Sequence, residues 1–178
     1  MKALRILGIV PALILVAALE PVAAQSVSIK AEILRDWTDL RATMDKIAAE
    51  MPDDKYTAKP TPAQQSFGER VVHVATVNVG LLGSLAGKAT RPTIDAKTTT
   101  KAAAIKAMDD SFDYGVALLN EQTDQTIVQA VATPPRFLGP SSRARIYTFL
   151  MGHTWDIYGQ LAVYLRVNGQ VPPASQRP

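Results

Sequence analysis

The chain has 178 residues, a formal charge of +3, two histidines and no cysteine. The missing cysteine excludes disulfides, thiolate metal ligands, a cysteine nucleophile and covalent haem attachment. A charge so near neutral gives no footprint for nucleic acid.

Lys2 and Arg5 precede an apolar run from Ile6 to Leu19, and Pro21-Val22-Ala23-Ala24 follows. This is the order of a charged segment, an apolar segment and a small-residue cleavage site in a signal peptide. Cleavage is expected after Ala24, leaving residues 25–178 as one domain, exported to the periplasm or secreted. The apolar run falls short of the ~20 residues that a membrane span needs, so no membrane attachment is expected after cleavage. Loss of Lys2, Arg5 and Glu20 lowers the net charge by one unit. The remainder is long enough to bury a real core and, without disulfides, must be held by packing.

The first helix is expected from about Ser28 to Met51, with Ile29, Ile33, Trp37, Leu40, Met44, Ile47 and Met51 recurring every three or four residues. Pro52-Asp53-Asp54 ends it, and the stretch to Pro62 reads as a loop. Ser66-Phe67-Gly68-Glu69 then has the spacing of a capping box, in which serine and glutamate each satisfy a free backbone N–H. From Val71 to Gly87 no residue is charged, so the second helix should be the most enclosed; His73 is the polar ring near its start.

The third helix is expected from about Thr99 to Glu121, with Ile105, Met108, Phe112, Gly115 and Leu119 inward and Lys106, Asp109, Asp110 and Asp113 outward. Residues 122–140 carry Pro134-Pro135 and Gly139-Pro140 and read as a long connection over one end of the fold. The fourth helix should start at Ser141 or Ser142 and run to Asn168, where Gly169 and Pro172-Pro173 stop it. Its inward stripe is Ile146, Leu150, His153, Ile157, Leu161 and Tyr164. With no strand-like alternation in competition, the expected fold class is all-α, an antiparallel four-helix bundle.

Both histidines thus fall on enclosed helix faces. A buried imidazole must be hydrogen-bonded or bound to metal, and the residues alone leave both open.

The fourth-helix text His153-Thr154-Trp155-Asp156-Ile157-Tyr158-Gly159-Gln160, continued by Tyr164-Leu165-Arg166 and Asn168-Gly169-Gln170-Val171-Pro172-Pro173, resembles the DinB-like metal-dependent bundle family. Members carry a His-x-x-x-His-x-Gly-Gln stretch here, followed by Tyr-Leu-Arg and an Asn-Gly-x-x-Pro-Pro ending. Phe67-Gly68-Glu69 and His73 resemble the family's Gly-Glu-x-x-x-His segment, and Thr61-Pro62 and Ser111-Phe112-Asp113-Tyr114 extend the likeness over residues 28–175. The resemblance implies a divalent ion, with zinc, nickel and iron as candidates, held by one histidine on the second helix and two on the fourth.

His73 and His153 match two of those ligands, but the third falls on Ile157, which leaves the expected site weak or absent. Asp156, at i+3 from His153, is the candidate substitute, since two histidines and a carboxylate suit zinc or non-haem iron. It is also about 100° around the helix from Ile157 and could instead pair with Arg143 or Arg145. Tyr158-Gly159 reads as a place where a small residue lets a neighbouring helix approach, and Gln160 as a hydrogen-bond partner of the inner site or of a loop carbonyl. Tyr164 and Arg166 are assigned to the stable end of the bundle, and Trp37 and Trp155 to apolar filling.

Two functions remain. One is a metal-dependent hydrolase or transferase, as the resemblance implies, with His73, His153 and Asp156 as ligands. The other is a non-enzymatic bundle with a degenerate site, whose candidate partners are an unidentified small molecule and a second copy of the chain.

Overall fold

The computed structural model describes residues 27–98 and 100–176; the expected signal peptide lies outside them. The described residues form an all-helical fold, with one isolated antiparallel bridge between Ala130 and Ser142. The helices are α1 (Ile29–Glu50), α2 (Phe67–Leu82), α3 (Lys101–Asn120), the short α4 (Asp124–Ile127) and α5 (Arg143–Val167).

The helix starts follow from side chains that satisfy the free N–H groups of a first turn. Ser28 Oγ accepts from Ala31 N at 3.1 Å, and Ser142 Oγ from Arg145 N at 3.2 Å. At α2 the expected capping box is complete: Ser66 Oγ accepts from Glu69 N, and Glu69 accepts from Ser66 N at 2.6 Å. At the far end of α5, Gly169 takes φ +76°, the left-handed conformation that glycine adopts without steric cost.

α2 is the most enclosed helix, as the uncharged run from Val71 predicts: within it only Gly80 is exposed. The apolar run is nevertheless not all α-helix. It tightens to a 3₁₀ turn at Gly83–Leu85 and ends at Ala86, with φ +51°.

Trp37 anchors the core. Its buried ring lies 4.8 Å from that of Phe112 and 5.3 Å from that of Tyr147, and its indole N–H donates to Phe112 O at 3.0 Å. The aromatic surface is buried and the polar handle is satisfied.

The four long helices close a ring in which α1 and α2 each pack against α3 and α5. Contacts along each interface give the chain directions. Trp37 meets Phe112, while Lys101 Nζ donates to Ala49 O at 2.7 Å, so α1 and α3 are antiparallel. Tyr164 Oη donates to Gln65 O at 2.7 Å near the start of α2, and Leu81 near its end shares a cavity with Phe149, so α2 and α5 are also antiparallel.

The other two interfaces run parallel. Asn78 Nδ2 donates to Ser111 Oγ at 3.2 Å, and further along both chains Lys88 N donates to Glu121. Likewise Trp37 meets Tyr147, and Lys55 Nζ donates to Asn168 O at 3.0 Å. The expected antiparallel packing therefore holds at two interfaces of four. The cause is the connection 83–100, which returns the chain along the bundle so that α3 runs beside α2 in the same direction. About 9 extended residues would cover the ~30 Å of a 20-residue helix, so the segment has chain to spare.

The connection after α3 lies over the end where α1 and α5 begin, as expected, but it is not wholly irregular. It contains α4, capped by Thr123, and Asp124 accepts from Ser28 Oγ and from Lys30 N at 2.8 Å. Val131 N donates to Ser141 O at 2.9 Å beside the isolated bridge.

Candidate functional site

His73 sits one turn beyond Glu69 on α2, and His153 lies near the middle of α5. Because the two helices are antiparallel, side chains 80 positions apart meet: Nε2 of His153 is 3.2 Å from Nε2 of His73, with ring centroids 5.1 Å apart and planes at 58°. A contact of this kind requires one nitrogen to carry a proton and the other a lone pair, so at least one of the two rings is neutral.

Electrostatics favour that state. Burial lowers the His73 pKa from its ordinary value, and Arg70 adds to the effect. His153 is lowered first by burial and then by His73; Asp156 opposes the shift and Arg70 reinforces it. Nδ1 of His153 is buried and makes no hydrogen bond among the described residues.

The pair borders an apolar cavity of about 340 Å³. Val77, Gly80 and Leu81 of α2 continue the His73 face along one wall. Phe149, one turn before His153, and Phe137 from the connection complete it, their rings 5.5 Å apart. Phe137 is 69% exposed, a large apolar ring held at the cavity mouth. No charged side chain lines this space. Sequence reasoning missed the cavity, although its signal was present: positions 73, 77, 80 and 81 share one helical face, as do 149 and 153.

The remaining candidates lie elsewhere. Ile157 is 2% exposed and belongs to the hydrophobic core. Asp156 is exposed and accepts from Gln160 Nε2 at 2.9 Å, so its partner is neither Arg143 nor Arg145. Arg143 instead donates to Thr126 O at 3.4 Å. Gln160 is thereby engaged with Asp156 rather than with the histidines or a loop carbonyl. Gly159 is exposed, and a Cβ there would meet nothing within 4 Å, so no helix approaches it. Trp155 is 49% exposed and stacks edge-on against Tyr158 at 5.4 Å.

The donor set tests the metal expectation. Two imidazole nitrogens bound to one tetrahedral zinc lie about 3.3 Å apart, close to the observed 3.2 Å. The rest of a site is not assembled: among the described residues no three His, Asp or Glu side chains converge, and the family's third position is a buried isoleucine. A ligating histidine also normally donates its other N–H to a fixed acceptor, which His153 Nδ1 lacks. Two of the donors fit a resident divalent ion; the set as a whole does not.

The DinB superfamily matches residues 36–161, a span that holds most of α1, all of α2 and α3, both histidines and most of α5. The chain belongs to the DinB superfamily. Two solved structures share the DinB fold with it. A DinB-like protein from Bacillus cereus ATCC 10987 has a TM-score of 0.64 at 18% identity, covering 82% of this chain and 96% of that one. The DinB-like protein YjoA from Bacillus subtilis has a TM-score of 0.60 at 20% identity, covering 82% and 99%. Among curated proteins no sequence match is found.

Proposed function

We propose that this DinB superfamily member is an exported small-molecule-binding bundle in which the His73–His153 pair is the polar end of an apolar cavity and a metal site has been given up. The observation that carries the proposal is the position of Ile157: it fills with core packing the place where the family resemblance expects a third ligand, one turn from a histidine that still faces its partner across α2 and α5. Export is supported by the basic, apolar and small-residue order of residues 2–24.

A second reading is favoured by the 3.2 Å imidazole separation, which suits two ligands of one ion. In that reading the chain is a metal-dependent hydrolase or transferase, with zinc, nickel or iron on His73 and His153 and Asp156 as the third ligand after a rotation that releases Gln160.

Metal analysis by mass spectrometry on untagged protein, beside an Ile157→His variant, separates the two. The first reading expects far less than one ion per chain in the wild type and close to one in the variant, which should also gain a metal-dependent rise in Tm. Stoichiometric metal in the wild type, lost in Asp156→Ala, would establish the second reading.

A further inference from the structure

We propose that a second binding site lies between α1 and α5 and takes a primary ammonium ion on a short apolar body, of the arylalkylamine kind. A cavity of about 340 Å³ opens there, enough for one substituted ring, and none of its lining residues lines the histidine cavity. Asp36, Asp39, Leu40 and Thr43, which share one face of α1, form one wall. Thr148, Met151 and Trp155 of α5 form the other.

The polar groups of this space favour a cation. Thr43 Oγ1 donates to Asp39 O at 2.9 Å, and Thr148 Oγ1 donates to Ala144 O at 3.1 Å. A carbonyl only accepts, so both hydroxyl protons are engaged and lone pairs are what remain for a ligand. With the carboxylates of Asp36 and Asp39, every polar side-chain group of the walls except the Trp155 indole N–H offers an acceptor. No lysine or arginine lines the space. Among the described residues Asp39 has no ion-pair partner, and Asp36 has only Arg35, 3.7 Å away. Both side chains of that pair are more than half exposed, so it contributes little and yields readily to a ligand. A primary ammonium donates three N–H groups and brings the opposite charge, whereas a carboxylate ligand would meet two like charges. Leu40, Met151 and Trp155 set the apolar body. Trp155 is 49% exposed, a large ring uncovered beside two carboxylates, and such a ring attracts a cation as well as covering apolar surface.

The test titrates the full chain at neutral pH with 2-phenylethylammonium, with propylbenzene of the same shape and no charge, and with 3-phenylpropionate. Affinities are read from the indole N–H resonance of Trp155, so occupancy of the histidine cavity does not enter; the buried Trp37, bonded to Phe112 O, is the control. The ammonium should shift the Trp155 signal and leave that of Trp37 in place. It should bind about tenfold more tightly than either analogue, the factor that two exposed charge pairs and a cation–π contact give together. The Asp36→Asn, Asp39→Asn double variant keeps the fold, since both side chains are exposed, and should remove that preference. Arg35→Ala, which frees Asp36, should tighten binding about twofold. No shift at Trp155, equal affinities for the three compounds, tighter binding of the propionate, or a preference that survives in the double variant would each overturn the proposal.

Discussion

Gly115 has no side chain because Trp37 occupies the space where one would be. A Cβ at this position would lie 2.6 to 2.7 Å from three atoms of the indole. That ring is wholly buried, hydrogen-bonded to Phe112 O and packed on Phe112 and Tyr147, so it has nowhere to move. Alanine gains about 1 kcal/mol of helix propensity over glycine, yet overpacking a fixed core costs about 1–3 kcal/mol and acts on a ring that cannot yield. Gly115→Ala should therefore lower the urea midpoint, and an unchanged or raised midpoint would show that Trp37 has room. The sequence placed Gly115 on the inward face of its helix but gave no hint of what it faces, since the tryptophan lies on another helix. The same limit governs the candidate site. Spacing alone turned His73 and His153 inward; their meeting at 3.2 Å required two helices to be docked in register.

At the level of helices, the long elements were legible because their apolar residues recur at three and four, and because Ser28, Ser66 and Ser142 mark the starts. The short α4 was not, since four residues carry no period; its only signal was the pair Thr123 and Thr126, which cap each other. The polar side of the α1–α3 interface holds a second feature that periodicity cannot show. Arg41 pairs with Asp113 and lies 3.5 Å from Asp109 and 3.8 Å from Asp45, three carboxylates around one guanidinium. Burial raises the Asp45 pKa to about 6, helped by the neighbouring Asp109 and Asp113 carboxylates and opposed by Arg41. Since the folded value lies above the ordinary 3.8, the protonated form is the one the fold prefers. Its contribution is complete below the ordinary value and is lost as the pH rises through about 6. Asp45→Asn should thus stabilise the protein at pH 8 by up to about 1 kcal/mol, a figure discounted for the partial exposure of the group, and change little at pH 4. Urea titrations at the two pH values check this; equal effects at both would remove Asp45 as the source.

For the molecule as a whole, a periodic pattern identifies which face of a helix is buried but not which helix covers it or in which direction that neighbour runs. The alternating up-and-down expectation failed at α2 and α3 for this reason. Their parallel arrangement depends on the return segment 83–100, and Glu121 holds that segment: its carboxylate accepts from Lys88 N at 2.9 Å and from Ala89 N at 2.7 Å. Glu121→Ala should reduce hydrogen-exchange protection at Lys88 and Ala89 while leaving global stability within about 1 kcal/mol, because the contacts are exposed. Unchanged protection at both amides would mean that the segment is held by other contacts. The imidazole contact also bears on how the molecule is built. Its partners are separated by 80 residues, and one of them belongs to the last long helix of the chain. Such a contact closes only after α5 docks, so a nascent chain that has presented α1, α2 and α3 still lacks half of the pair. The coupled imidazole resonances would therefore report the docking of α5 on α2 rather than the first collapse of the chain.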